Sequence, residues 1–176
     1  MTEFRTRRLW LRPFTPGDVP AYQAIRAQPG VTRYLPSHSD DPALAARRAA
    51  DAVAAFMACW ERDGYGPWAV EHRGRLAGHL GLRYLPEMGE TEVLFLLDPG
   101  LQRQGLATEG TRAALHWGFR RLRLEQIVAY ALPENGPSLA VLARAGMDRR
   151  PGLHEAFGLK VVRLLAQRTE WGQRNA

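Results

Sequence analysis

Residues 95–107 read FLLDPGLQRQGLA, and this stretch constrains the fold more than any other part of the chain. The apolar run Phe95–Leu97 predicts a strand, Asp98-Pro99-Gly100 predicts a turn, and a helix is expected to begin near Gly105. The first N–H groups of a helix have no partner within the helix, and the helix dipole adds partial positive charge there. The stretch therefore predicts an anion site, with a plain strand-to-helix turn as the alternative.

The glycine in this turn does not belong to a P-loop, because no Gly-Lys-Ser/Thr follows it. Residues 105–110, GLATEG, approximate the dinucleotide fingerprint of doubly wound sheets, and Glu125 lies near the offset of a ribose-binding acid. That alternative is disfavoured because Asp98–Gln104 separate the strand from the first glycine. Since Gly105 permits a close backbone approach, we expect a diphosphate to be held by the loop Gln102–Ala107.

Outward from this loop, hydrophobic periodicity predicts strands and helices over nearly the whole chain. Strands are expected at 8–13, 68–72, 76–84, 91–97, 125–131, 147–153 and 159–167, and helices at 19–27, 42–62, 104–121 and 135–145. Trp68–Tyr84 is typical of an antiparallel hairpin, and Thr91–Leu97 is nearly continuous in apolar residues, as a central strand is. The prediction is a mixed α/β (α+β) domain with a twisted, partly antiparallel sheet of about six or seven strands and about four helices.

The composition is that of a globular protein: of 176 residues, 45% are hydrophobic and 24% are charged. This length predicts one domain spanning residues 1–176. No apolar h-region follows Met1–Leu9, no run approaches the ~20 residues of a membrane span, and Cys59 is the single cysteine, so a cytoplasmic location is expected. The net charge of +6 comes almost entirely from arginine, and it suits either a phosphorylated ligand or a nucleic acid.

Four motifs, in the same order along the chain, resemble the GNAT superfamily of N-acetyltransferases and its RimJ/RimL-like branch. Gln102-x-x-Gly105-x-Ala107 is similar to the acetyl-CoA signature Q/R-x-x-G-x-G/A. Thr6-x-Arg8-Leu9-x-Leu11-Arg12 resembles the opening strand of the branch, and Thr108-Glu109 follows the signature as it often does there. Asn135-x-x-Ser138, with residues 142–147 (LARAGM), resembles the N-x-x-S and K-x-G-F segment. Each motif alone is weak evidence for the family, but four motifs in the order of the family are specific evidence for it.

The resemblance implies an enzyme that moves an acetyl group from acetyl-CoA to a primary amine by direct attack in a ternary complex. The amine would be a protein N-terminus or a small molecule. The backbone of Phe95 and Leu97 would pair with the pantetheine arm, and Asn135 would hydrogen-bond that arm, serve as a helix N-cap, or do both. The pyrophosphate would be surrounded by Gln102, Arg103, Gln104, Gly105, Leu106 and Ala107.

Two residues are candidates for the proton movements of this reaction. Many GNAT enzymes protonate the leaving thiolate with a tyrosine, but Leu142 stands at that position, and the RimJ/RimL-like pattern offers Ser138 instead. The alternative for Ser138 is a first-turn helix residue that is satisfied locally. Glu92 is the candidate general base, acting through water, because its apolar neighbours would raise its pKa; the alternative is a solvated glutamate at a strand edge. Some RimJ/RimL-like enzymes have a glutamate shortly after the position of Met147. This chain has residues 149–151 (RRP) in that place, so no residue is assigned the role of that glutamate.

The acceptor side is marked less clearly. Tyr34, Trp68, His79, Arg83 and Phe157 lie in segments that would surround an acceptor pocket, although a tryptophan such as Trp68 is also typical of a core. The five histidines lack metal-ligand spacing, so no metal is expected. The expected partner is a small-molecule or peptide amine. No membrane binding is expected, and nucleic acid is expected only through association with the ribosome. The family also allows a homodimer. A non-catalytic acyl-CoA- or RNA-binding module on the same fold is the remaining alternative.

Overall fold

A computed structural model describes residues 2–35 and 39–174, so His38, one of the five histidines, lies outside the described residues. The strands are β1 Phe4–Arg5, β2 Trp10–Arg12, β3 Pro67–His72, β4 Arg75–Leu85, β5 Glu90–Leu97, β6 Gln126–Ala131, β7 Asp148–Arg149, β8 His154–Ala156 and β9 Leu159–Gln167. The helices are α1 Val19–Arg26, α2 Pro29–Thr32, α3 Pro42–Asp63, α4 Leu106–Arg120, α5 Gly136–Arg144 and α6 Arg168–Arg174. Two 3-10 turns, Pro16–Asp18 and Pro99–Leu101, precede α1 and α4.

The described strands form one open sheet in the order β1-β2-β3-β4-β5-β6-β9-β7, and β8 pairs with β9 beside this path. Every pair of neighbours is antiparallel except β5 and β6, which run parallel and are connected through α4. The predicted mixed fold class is confirmed. The dinucleotide-binding alternative is wrong, because a doubly wound sheet is mostly parallel.

Local sequence signals set the ends of the long helices. At the start of α3, Pro42 occupies the first helical position and Asp41 accepts a hydrogen bond from the N–H group of Ala43. Gly64, at φ 74°, ends the same helix in the left-handed conformation that glycine adopts without strain. The predicted helices at 19–27, 42–62 and 135–145 correspond closely to α1, α3 and α5.

The structure contains more short elements than the sequence predicted. The strand expected at 147–153 is reduced to the two residues of β7, because Pro151 has no N–H group and Gly152, at φ 74°, turns the chain. The short elements β1, β8, α2 and α6 were not predicted. Of the described helices, none combines the length and apolar character that crossing a bilayer requires.

The sheet is covered on both faces, and each face has its own apolar cluster. The larger cluster lies under α4, α5 and α6 and includes Leu106, Leu115, Leu142 and Trp171. The smaller one lies under α1 and α3 and includes Phe14, Tyr22, Val53 and Phe56. Because side chains alternate along a strand, Val93 of β5 belongs to the first cluster and Leu94 packs against the second. Strand β5 therefore has contacts with both layers.

Candidate active site

Strands β5 and β6 separate towards their carboxyl ends. Their register has one pair, Glu92 with Val128, whereas β5 stays paired with β4 as far as Leu97. The N–H group that follows Leu97 donates to a β4 carbonyl over 2.8 Å. Alternation along an antiparallel ladder then directs the N–H groups of Phe95 and Leu97 towards β6. Both predicted backbone donors therefore face the gap between the two strands.

A cavity of about 230 Å³ occupies this gap. Its walls come from β5, β6, α5 and the β8–β9 hairpin, and they include Val93, Leu94, Phe95, Tyr130, Ala131, Leu132, Asn135, Ser138, Leu142, Phe157, Leu159 and Val161, with Tyr34. Since Val93 and Leu94 belong to opposite layers, the cavity extends to both faces of the sheet. The cavity is therefore bordered by side chains from both layers of the fold.

The loop between β5 and α4 presents unpaired backbone N–H groups. Within the described residues, no hydrogen bond uses the N–H groups from Arg103 to Thr108, and no side chain caps α4. Neighbouring helices differ, since Asp41 and Asn135 cap α3 and α5. The hydroxyl of Thr108 is also buried without a partner among the residues that the structure describes. These donors fit a diphosphate at the helix N-terminus.

The predicted loop residues contribute in different ways. The side chains of Gln102, Arg103 and Gln104 are exposed, so they can donate to a bound phosphate. Leu106 is 1% exposed and packs in the core, so it can contribute only its N–H group. Gly105 is required for its backbone conformation, φ 74°, rather than for space, since a Cβ there would lie 3.5 Å from an Arg8 nitrogen.

Asn135 and Ser138 share the first turn of α5 and both line the cavity. The Oδ1 atom of Asn135 accepts a hydrogen bond of 3.2 Å from the N–H group of Ser138, so Asn135 is the N-cap of this helix. Its amide nitrogen and the Ser138 hydroxyl have no hydrogen bond among the described residues. Both groups are therefore available to a ligand in the gap.

Glu92 is buried where β5 and β6 begin to separate. It is 4% exposed, and its Oε1 atom accepts hydrogen bonds from Nε of Arg83, over 2.8 Å, and from Nη2 of the same residue. Burial raises the pKa of Glu92, and the charge of Arg83 partly opposes that shift. Glu92 is not among the residues that line the cavity, although its neighbour Val93 is.

Two of the residues expected near an acceptor pocket belong to the interior instead. Trp68 is fully buried among Phe4, Trp60 and Trp117, and its indole N–H group donates to the carbonyl of Thr2 over 2.8 Å. The alternative interpretation of Trp68 as a core residue is therefore the correct one.

His79 is also buried, with Nδ1 placed 2.8 Å from the Tyr22 hydroxyl. Its pKa falls to about 3, first through desolvation and then through the charges of Arg26 and Arg83.

Among the described residues, no cluster of His, Cys, Asp and Glu could hold a metal ion.

Two aromatic residues of the cavity wall, Tyr130 and Phe157, contact charged side chains behind them, and the sequence patterns did not reveal the contacts of Tyr130. The Tyr130 hydroxyl donates to Glu90 over 2.5 Å, and Arg163 pairs with the same carboxylate. Phe157 packs edge-on against Tyr130, with ring centroids 5.8 Å apart, and the Arg83 guanidinium lies 5.9 Å from the Phe157 ring. Tyr130, Glu90 and Arg163 come from three separate strands, so no local motif could have revealed their contact, whereas Phe157 and Arg83 were already expected near an acceptor pocket.

The chain matches the family model described as acetyltransferase (GNAT) domain over residues 8–148. The chain belongs to the GNAT acetyltransferase family. It is similar to an uncharacterized N-acetyltransferase, YnaD of Bacillus subtilis, with 28% identity covering 82% of this chain and 81% of YnaD. A crystal structure of an acetyltransferase from Agrobacterium tumefaciens has a TM-score of 0.82 and 28% identity, covering 95% of each chain.

Membership of this family gives the chain its reaction, which is acetyl-CoA-dependent acetylation, with acetyl-CoA as the co-substrate. The fold of this acetyltransferase is also similar to that of RimL, described as a ribosomal L7/L12 α-N-protein acetyltransferase in complex with coenzyme A. That likeness has a TM-score of 0.76 at 18% identity and covers 94% of this chain and 98% of RimL. This likeness is one of fold, and it agrees with the predicted RimJ/RimL-like branch without assigning the chain to that branch.

Proposed function

We propose that this acetyltransferase is one catalytic domain spanning residues 1–176 that acetylates a primary amine by direct attack in a ternary complex. The observation that carries the proposal is the gap between β5 and β6, which is lined by free backbone donors and is bordered by side chains from both layers of the fold. The donor would enter from the α4 face and the amine from the α1–α3 face. A direct transfer between them needs no covalent enzyme intermediate.

The protein would hold the donor in three places, two of them through its backbone and one through a side chain. The N–H groups from Arg103 to Ala107 would bind the diphosphate, the edge of β5 at Phe95 and Leu97 would pair with the pantetheine arm, and the Asn135 amide would hydrogen-bond that arm. Acetyl-CoA supplies an activated thioester. A β5 N–H group directed into the gap would stabilise the negative charge that develops on the carbonyl oxygen during attack.

Glu92 would take the proton of the attacking amine, and Ser138 would stabilise the departing thiolate until it is protonated to the thiol of coenzyme A. Glu92, with its pKa raised by burial, would accept a proton from the amine through a water molecule, and Ser138 would donate a hydrogen bond to the departing sulfur. Because Arg83 lowers the basicity of Glu92, an acceptor with a lower pKa is favoured. An α-amino group near pKa 8 is easier to deprotonate than a lysine side chain near 10.4.

We therefore propose an α-amine, as at the N-terminus of a peptide, as the acceptor. RimL, which shares the fold, is an α-N-protein acetyltransferase, and the apolar walls of the cavity here suit the first side chain of a peptide. Small-molecule amines are the second possibility. A panel of peptides with free N-termini, polyamines and aminoglycosides, assayed with acetyl-CoA by release of free thiol, should show fastest turnover with a peptide.

The loop assignment has its own test in the substitution Gly105→Glu. A side chain at φ 74° strains the loop, and a carboxylate beside the diphosphate repels it, so coenzyme A affinity should fall at least about a hundredfold, which corresponds to ~2.7 kcal/mol. Calorimetry with coenzyme A measures this. An unchanged dissociation constant in a folded variant would refute the loop as the diphosphate site, and absence of turnover with every amine would refute the proposed reaction.

A further inference from the structure

Two of the sequence motifs that lie about a hundred residues apart meet in the structure. The turn between β1 and β2 places the Thr6 hydroxyl 2.6 Å from Oε1 of Glu109, which is in the first turn of α4. The backbone N–H group of Arg8 donates to the same oxygen over 2.9 Å, and its Nε donates to Oε2 over 2.7 Å. Glu109 is thereby held by three donors from one turn.

The remaining arm of Arg8 reaches the diphosphate loop. Its Nη1 atom donates to the carbonyl oxygen of Gln104 over 2.7 Å. A peptide unit is planar and trans, so its carbonyl and N–H group point in opposite directions. Fixing the Gln104 carbonyl towards Arg8 therefore fixes the N–H group of Gly105 away from Arg8, on the open side of the loop.

The same contact keeps a second donor free. In a helix extended by one residue towards its N-terminus, the Gln104 carbonyl would accept the N–H group of Thr108, four residues further on. In the structure the first such bond instead joins the Glu109 N–H group to the carbonyl of Gly105, over 3.0 Å. Because Arg8 occupies the Gln104 carbonyl, α4 begins where its first N–H groups remain available to a ligand.

Glu109 makes this arrangement compatible with an anion. Burial alone would raise the pKa of Glu109, but hydrogen bonds from Thr6 and Arg8 outweigh it and hold the pKa below its usual range. A carboxylate so close to a helix N-terminus would repel a diphosphate if it were unpaired. Pairing with Arg8 compensates its charge and also fixes the orientation of the guanidinium fork.

We propose that Arg8, fixed by Glu109, is a positioning residue that orients the Gln104–Gly105 peptide of the loop for diphosphate binding. This inference rests on the proposed function, because it assumes that the loop binds the diphosphate of acetyl-CoA. The proposal predicts that a change at Arg8 affects the binding of only one part of acetyl-CoA. Loss of Arg8 should weaken interactions with the diphosphate and leave those with the pantetheine arm unchanged.

The test compares Arg8→Ala with Arg7→Ala, its matched control. Arg7 is an exposed neighbour in the same turn, so both variants lose one positive charge and only one loses the loop contact. Calorimetry should show coenzyme A binding about tenfold weaker in Arg8→Ala, as expected for ~1.4 kcal/mol, and nearly unchanged in Arg7→Ala. The ratio of kcat/KM for acetyl-CoA to that for S-acetylpantetheine, which lacks the diphosphate, should fall by the same factor.

Arg8→Lys and Glu109→Gln extend the comparison if Arg8→Ala does not fold. A lysine keeps the charge but lacks the planar fork that bonds Glu109 and Gln104 in fixed directions, so it should restore the ratio only in part. Glu109→Gln keeps the side-chain shape, weakens the hold on Arg8 and should lower the ratio by a smaller factor. Equal losses with acetyl-CoA and S-acetylpantetheine, or equal affinities in Arg8→Ala and Arg7→Ala, would overturn the positioning role. A wild-type protein that binds no coenzyme A would instead refute the proposed function.

Discussion

Ser138 is the side chain whose hydroxyl the fold leaves free at the cavity wall, since the backbone N–H group beside it is already satisfied by Asn135. The substitution Ser138→Ala removes the hydroxyl and leaves that cap intact. We expect kcat to fall about tenfold or more, equivalent to ~1.4 kcal/mol of transition-state stabilisation, with little change in coenzyme A affinity. Steady-state kinetics with calorimetry measures both, and Ser138→Thr, which keeps a hydroxyl, is the control. Full activity of Ser138→Ala would remove Ser138 from the mechanism.

His79 makes folding stability depend on pH. Its pKa falls from 6.5 to about 3 on burial, so between these values the unfolded chain binds a proton that the folded chain excludes. The contribution of neutral His79 to the free energy of unfolding is fully present above pH 6.5. It is lost as the pH falls below that value, by up to ~1.4 kcal/mol per pH unit. His79→Gln still offers Tyr22 an acceptor and does not titrate. Urea unfolding between pH 7 and about 4.5 should therefore show a shallower fall for the variant. Parallel slopes would contradict the argument.

The sequence signals from which the donor side of the site is predicted are local. The Gln102–Ala107 loop and the Asn135 cap each lie within a few residues of the helix that they begin. The contact of Arg8 with Glu109 and the group formed by Tyr130, Glu90 and Arg163 join distant parts of the chain. Which arginine meets which carboxylate depends on strand order, and one sequence does not encode that order locally.

At the scale of elements, α4 positions the loop by lying close to the sheet. A Cβ on Gly118 would approach the Cδ1 atoms of Leu82 and Ile127 to 2.7 and 2.8 Å, and both side chains are fully buried. In Gly118→Ala the gain in helix propensity is ~1 kcal/mol, and overpacking of a core costs about 1–3 kcal/mol. We expect a net loss of about 1 kcal/mol in the free energy of unfolding, measured with urea.

The control for this prediction is Gly172→Ala in α6. A Cβ on Gly172 meets no atom within 4 Å, so that variant should gain stability from helix propensity alone, by up to ~1 kcal/mol. Similar gains in both variants would show that α4 is not held against the sheet as tightly as the contacts indicate.

Element prediction was weakest where an element is defined by tertiary contacts. The helix α6 has seven residues, and its buried side chain Trp171 donates an indole hydrogen bond of 2.8 Å to the carbonyl of Ala145. A segment so short has little helical stability of its own, so packing rather than periodicity fixes it. The same holds for β7 and β8, whose partner is β9.

The charge of the whole molecule favours an anionic ligand at the end of the sheet that carries the loop. A surface depression of about 470 Å³ lies along the β1–β2 turn, next to Arg8, and its lining includes Arg5, Arg7 and Arg73. With a net charge of +6, the protein should attract the phosphates of acetyl-CoA before contact. The RNA-binding alternative rests on the same positive charge. The dependence on ionic strength distinguishes attraction of acetyl-CoA from binding of RNA.

Raising the salt concentration from 0.1 to 1 M shortens the Debye length from ~10 to ~3 Å and screens attraction at long range. The association rate of acetyl-CoA, followed by stopped flow, should then fall several-fold, while kcat/KM for uncharged S-acetylpantetheine should stay constant. Because the diphosphate is held by directed N–H groups as well as by charge, the dissociation rate should change little. RNA binding through several phosphates would be lost far more steeply over this range. Tight RNA binding at 0.1 M salt with that steep loss, alongside a salt-independent association rate for acetyl-CoA, would mean that the arginines serve a nucleic acid rather than the donor.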